Sequence, residues 1–255
     1  MTVQDVSCRY GERRVLENVS FTARTGELVS ILGPNGVGKS TLFKCMLGLL
    51  KGYTGRVSID GGDIRGLTPA GLSRKIAYIP QSHYPAFNYS VFDMVLMGTS
   101  AHVGAFAQPG LKEAETARQA LERLSIADFA HRDYMRLSGG ERQLVLIARA
   151  LAQQSRILIM DEPTANLDYG NQMRVLSQIR ALAEDGYTVV QSTHNPEQAY
   201  LFSHTILAMQ VGRIIAQGPP QAVLTSALIQ DLYGIDARVE SLDGGRVRVC
   251  VPNSI

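Results

Sequence analysis

A chain of 255 residues with 45% hydrophobic content can bury one substantial core, with or without an inserted lobe. Charged residues make up 19% and the formal net charge is +2, so no broad basic footprint for DNA or RNA is present. No apolar run reaches the roughly 18 residues a membrane helix needs, and "MTVQDVSCRY" lacks the apolar stretch of a signal peptide.

Cys8, Cys45 and Cys250 are scattered, odd in number and without metal-ligand spacing, as expected of reduced, mostly buried thiols in a cytosolic protein. In chain order, "ELVSIL" (27–32) reads as a buried strand, "GPNGVGKS" as a loop and "TLFKCMLGLL" (41–50) as a helix. "GRVSIDG" alternates like a strand, with a turn at Gly61 and Gly62; "KIAYIPQ" is a further strand stopped by Pro80. Residues 84–137 change texture. "SVFDMVLMG" (90–98) and "LKEAETARQALERLSIADFA" (111–130) read as helices, with no strand candidate between them, as in a helical lobe inserted into an α/β core. "RILIMDEP" holds the most apolar strand, 157–160, ended by Pro163, and "YTVVQSTH" is a β-branched strand running into His194. Two hairpins are expected at the end, one turning at Val211 and Gly212, the other placing Val247, Val249 and Val251 on one face.

"GPNGVGKS" (33–40) fits the phosphate-loop pattern G-x-x-x-x-G-K-[ST] at every fixed position. Glycines let backbone N–H groups close on phosphate oxygens, Lys39 reaches the β/γ-phosphates and Ser40 can ligand Mg²⁺. The strand before it and the helix after it complete the context for binding a nucleoside triphosphate. In "ILIMDEP" a buried strand ends in two carboxylates at the sheet edge where such folds bind ligands. Asp161 is the candidate Walker B acid for Mg²⁺, and Glu162 is placed to orient or deprotonate the attacking water.

With these in place the chain resembles the ATP-binding subunits of ABC transporters over essentially its whole length. "LSGGERQ" (137–143) is the specific element, since it is similar to the ABC signature. The resemblance implies a P-loop NTPase core with an N-terminal antiparallel β subdomain and an inserted α-helical subdomain. Residues 1–83 and 138–220 would form the nucleotide-binding core, 84–137 the lobe and 221–255 a C-terminal helix and hairpin extension. It implies that Gly33, Pro34, Asn35, Gly36, Val37, Gly38, Lys39, Ser40 and Thr41 enclose the phosphates of ATP. Two copies would pair head to tail, so that Ser138, Gly139 and Gly140 contact the γ-phosphate held by the other copy. Tyr10 is placed like the aromatic that stacks on adenine. Gln81 resembles the Q-loop glutamine that approaches Mg²⁺ and water, Asp168 the D-loop aspartate that crosses the dimer interface, and His194 the histidine that contacts the γ-phosphate. His83, His102, His131 and His204 lack such context and are read as structural.

The lobe segment "YSVFDMVLMGTSAHVGAFAQPG" and the terminal hairpin are similar to importers of iron–siderophore complexes, haem and vitamin B12. An arginine often follows "LMG" in those importers; here Thr99 stands there. Zinc, manganese and molybdate importers have related lobes and stay open as alternatives. An exporter would share the chemistry. A non-transport ABC ATPase acting on nucleic acid or ribosomes would usually carry two motif sets or a long coiled-coil insertion, and this chain has one set and no heptads. The importer reading implies separate membrane permease subunits, indirectly a substrate-binding protein, no nucleic-acid partner, and a peripheral place at the cytoplasmic face of the inner membrane.

Overall fold

Val3, Val6 and Cys8 turn inward along β1 (Thr2–Tyr10), and Leu16, Val19 and Phe21 along β2 (Arg13–Thr22), forming an antiparallel hairpin. Register shifts break the ladder between residues 3 and 6, 6 and 8, and 8 and 9. These bulges disturb the strict alternation by which a half-buried strand is read in a sequence. The computed structural model describes residues 1–83, 85–103 and 108–253 and divides them into two units, Met1–Gly66 with Leu182–Ile255, and Leu67–Ala181.

In the first unit, β3 (Leu28–Leu32) is buried at every position, as a strand covered on both faces must be. α1 (Lys39–Met46) starts two residues before the expected helix and stops four residues short of its end. Gly38, at φ 113, caps its start, and Gly48, at φ 65, takes the left-handed conformation that ends a helix. β4 (Tyr53–Ile59) pairs with β1 and with β5 (Gly62–Asp63), giving the antiparallel order β2-β1-β4-β5. α1 packs on β2 and β4.

The second unit contains α2 (Pro69–Ser73), β6 (Ile76–Ile79), α3 (Val91–Leu96), α4 (Leu111–Arg123), α5 (Gly139–Ala152), β7 (Ile157–Met160) and most of α6 (Tyr169–Glu184). β6 and β7 run parallel, with Ile76 opposite Ile157. The helices expected at 90–98 and 111–130 are both shorter than their apolar patterns. α3 passes into a 3₁₀ turn at Met97–Ala101, and α4 stops before Ser125, whose φ of 57 cannot continue a helix. Among the described residues between 85 and 137 no strand forms; an isolated bridge joins Ser90 to Asp133. Thr99 is 1% exposed and donates its hydroxyl to the Leu96 carbonyl at 2.8 Å, so this position has no room for an arginine.

The chain then returns to the first unit. β8 (Thr188–Thr193) lies parallel to β3 on one side and, after α7 (Pro196–Phe202), β9 (Thr205–Gln210) lies parallel to it on the other. β10 (Arg213–Gly218) folds back on β9 through Val211 (φ 42) and Gly212 (φ 76), the expected hairpin turn. After α8 (Pro220–Val223) and α9 (Ser226–Tyr233), β11 (Ala237–Leu242) and β12 (Val247–Pro252) form the second expected hairpin. Its valines share a face, but the opposite face does the packing: Cys250 sits against Tyr200 and Leu224, and the Arg248 guanidinium lies 5.2 Å from the Tyr200 ring. Among the described residues no helix is long and apolar enough to cross a membrane.

Gly98 is the tightest backbone approach in the second unit, since a Cβ there would lie 2.1 Å from the Arg149 carbonyl oxygen. Gly98→Ala is expected to lower stability by about 1–3 kcal/mol, read as a lower urea midpoint at unchanged slope.

Candidate functional site

In the first unit, β3 ends at Leu32 and hands the chain to the phosphate loop. The Gly33 N–H donates to the Thr193 carbonyl at 3.2 Å, and Gly212 N–H donates to the Val37 carbonyl at 3.0 Å, so β8 and the β9–β10 turn hold the loop at both ends. A Cβ on Gly33 would sit 2.3 Å from the Met209 carbonyl, and one on Gly38 would sit 2.9 Å from that of Val15. Glycine is therefore demanded at both places by close backbone approach, in addition to the positive φ of Gly38.

No side chain caps the start of α1. A helix start has backbone donors without intrahelical partners and the positive end of the helix dipole, which together suit an anion. Lys39, 6% exposed, folds its ammonium back over the loop and donates to the carbonyls of Gly33 at 2.7 Å and Pro34 at 3.1 Å. Loop, lysine and uncapped helix start thus fit a polyphosphate. Tyr10, 47% exposed, stands at the end of β1 beside the Gly11 turn, and His194 is exposed at the end of β8. The backbone carbonyl of His194 accepts from the Tyr233 hydroxyl at 2.9 Å, which ties the chain after β8 to α9.

The second unit brings together the other candidates. β7 delivers Asp161 and Glu162, and the Asp161 N–H donates to the Ile79 carbonyl at 2.9 Å, so the Walker B strand is locked to the strand that leads into Gln81. Glu162 has φ 44, the left-handed region that a side chain enters only at a cost of about 1–3 kcal/mol. A turn closes behind it, with Ala165 N–H donating to the Glu162 carbonyl at 3.0 Å. Gln81 is exposed.

Ser138 and Gly139 are exposed at the start of α5. The Ser138 hydroxyl accepts from the Glu141 N–H at 3.3 Å, and the Glu141 carboxylate accepts from the Ser138 N–H at 2.8 Å. The Ser138 N–H and then its hydroxyl, both donating to the Glu141 carboxylate, hold that carboxyl below the usual range. A Cβ on Gly140 would lie 2.6 Å from the Asn171 side chain, and one on Gly139 would lie 3.1 Å from Leu167, so the start of α5 packs directly against the segment at 167–171.

A family model described as ABC transporter matches residues 16–165. The chain belongs to the ABC transporter ATP-binding family. This ABC subunit is 40% identical to an uncharacterized ABC transporter ATP-binding protein of Haemophilus influenzae over 91% of its own length and 89% of the relative's. A hemin import ATP-binding protein of Rhizobium meliloti is 36% identical, with 98% and 97% of the two chains covered. Among solved structures, an inward-facing transporter described as of metal-chelate type aligns with TM-score 0.88 and 32% identity, over 99% and 96% of the chains.

Three residues of the ABC subunit were not singled out by its motifs. Tyr78 alternates outward on β6 and hydrogen-bonds through its phenol to Asp161; burial, then the aspartate charge, push that phenol up to about 12. Tyr134, 1% exposed, donates its hydroxyl to the His83 carbonyl at 3.2 Å and so ties the chain after Gln81 to the turn before the signature. Asn171 donates to both oxygens of Asp168, from its backbone at 2.9 Å and its side chain at 2.6 Å. Asn171 lies three residues after Asp168, where a helix-capping aspartate finds its N–H partner, so a capping signal was present.

Those two bonds keep the Asp168 carboxyl below its ordinary range. A carboxylate with a lowered folded-state pKa stabilises fully above its unfolded pKa and loses that contribution as pH falls through the folded value. The stability gap between wild type and Asp168→Ala is therefore expected to be full at about pH 7 and to shrink below about pH 4, measured by urea unfolding across that range.

Proposed function

We propose that this ABC subunit hydrolyses ATP in a head-to-tail pair of identical copies, and that the pair drives import of a chelated metal or corrinoid through separate permease subunits. The observation that carries this reading is the second helix start, with Ser138 and Gly139 exposed at the first turn of α5. One chain already has its own phosphate cradle at α1, and an exposed second cradle suits a nucleotide held by another copy.

Each residue then has a task. Tyr10 stacks on the adenine, and the stretch from Gly33 to Thr41 encloses the phosphates with Lys39 against the β/γ oxygens. Ser40, Gln81 and Asp161 are the oxygen donors that would hold Mg²⁺, a set suited to a hard cation. The metal, when bound, supplies charge neutralisation on the β- and γ-phosphate oxygens. Glu162 orients the attacking water and takes its proton, while His194 and the other copy's Ser138, Gly139 and Gly140 contact the γ-phosphate. Asp168, already fixed by Asn171, reaches the interface between copies. ATP closes the pair, and hydrolysis with product release reopens it.

The lobe at 84–137 is read as the surface that meets the permease, which places the subunit peripherally at the cytoplasmic face of the membrane. The importer direction and the class of cargo are supported by the lobe and terminal-hairpin sequences and by the hemin-import and metal-chelate relatives. Within this reading a substrate-binding protein delivers the cargo to the permease.

Glu162→Gln is expected to retain ATP binding, lower turnover by about 10²- to 10⁴-fold and accumulate a closed dimer on size-exclusion chromatography; undiminished turnover would remove Glu162 from the reaction. Ser138→Trp is expected to abolish hydrolysis while the isolated chain binds ATP with unchanged affinity. Parallel loss of both would refute the assignment across two copies.

A further inference from the structure

Two of the three cysteines meet. Cys8 on β1 is 2% exposed and Cys45 on α1 is fully buried, and their thiols share a hydrogen bond. Tyr53 on β4 stands opposite Cys8 in the ladder and close enough to feel the charge state of Cys45. The Tyr53 side chain is 6% exposed, and among the described residues its hydroxyl has no hydrogen-bond partner. A buried hydroxyl is rarely left unpaired, and a thiolate beside it would be a suitable acceptor.

The surroundings give a reagent a way to Cys8. The β1–β2 ladder is interrupted on both sides of Cys8, between residues 6 and 8 and between 8 and 9. Interrupted ladders are where local opening is easiest. A cavity of about 400 Å³ borders this point, with Cys8, Arg9, Arg14 and Gly52 in its wall. Glu17 lies in the same wall and pairs with Arg14 at 2.7 Å, so the cavity carries both signs of charge.

We propose that Cys8 and Cys45 are a dithiol pair that a small disulfide converts to a Cys8–Cys45 disulfide, tying β1 to α1. The Cys8 thiolate attacks one sulfur of the reagent, whose S–S bond breaks and whose first half leaves as a thiol carrying the Cys8 proton. Cys45 then attacks Cys8 Sγ, the mixed disulfide breaks, and the second half leaves as a thiol carrying the Cys45 proton. The protein pair is oxidised by two electrons and the reagent is reduced to two thiols. Tyr53 donates its hydrogen bond to the Cys45 thiolate during the second attack. Burial raises both thiols, Cys45 to about 12, so closure is slow and accelerates with pH.

The consequence for nucleotide rests on the phosphate-loop reading; the pairing itself does not. Cys8 is two residues from Tyr10, and Cys45 lies on the helix that begins with Lys39. Replacing a hydrogen bond by a covalent S–S bond draws β1 and α1 together and shifts the adenine side against the phosphate side. ATP affinity falls by about tenfold in the closed form.

The test treats the reduced, natively folded full chain with oxidised glutathione over a range of pH. The expected result is loss of two hydrogens in intact mass, a Cys8–Cys45 peptide on mapping, a rate that rises with pH, and reversal by dithiothreitol. C250S closes like wild type, Y53F closes more slowly, and C45S stops at a glutathione adduct on Cys8. A link that forms only after unfolding in urea, or reaction confined to Cys250, overturns the pairing. A linked chain with unchanged ATP affinity overturns the nucleotide effect. A reduced chain that binds no ATP overturns the phosphate-loop reading and leaves the link standing.

Discussion

The start of α1, where no side chain occupies the cap, is the constraint around which the rest of the first unit is arranged. A helix start has backbone donors that need an acceptor, and most helices supply one from their own cap residue. Here Gly38 stands at the cap and contributes none, while Met209, Val15 and Leu16 press so closely on Gly33 and Gly38 that no larger residue fits. Lys39 adds further donors there, its ammonium folded onto two loop carbonyls. The result is a rigid ring of backbone held from both ends by Thr193 and Gly212, shaped before any anion arrives.

α5 solves the same problem in the opposite way. Its capping box satisfies the first donors internally, yet Ser138 stays exposed. A self-capped start folds independently of a ligand. Gly140 adds a packing reason for the second glycine, because the Asn171 side chain that braces Asp168 occupies the space a Cβ would need. One short motif therefore combines an exposed helix start with the joint to Asp168 and Asn171.

The carboxylates show a division between fixed and strained. Asp161 is anchored by its backbone to β6 and touched by the Tyr78 phenol, whereas Glu162 sits in a backbone conformation that an acidic side chain adopts only when its neighbours impose it. Strain of this kind is stored where a side chain must be aimed, and the buried strand before it and the turn after it supply the restraint. Tyr134 performs a comparable service further along, bracing the chain after Gln81 from within the lobe.

The sequence by itself determined the glycine-rich loop at 33–40, the two consecutive carboxylates, and strands within 27–32, 157–160 and 187–194. Their evidence is local: fixed spacing in a motif, or an unbroken apolar run that only a doubly covered strand can use. Tertiary structure decided what depends on distant partners. The β1–β2 hairpin escaped the period-two pattern because bulges shift its inward residues, and α1, α3 and α4 end where backbone turns overrule apolar periodicity. The valine face of the last hairpin is the outer one, since Tyr200 and Leu224 pack against Cys250 instead. Tyr78, Tyr134, Asn171 and the meeting of Cys8 with Cys45 belong to the same class. Each is defined by a neighbour brought near by the fold, and no spacing rule along a chain encodes that nearness.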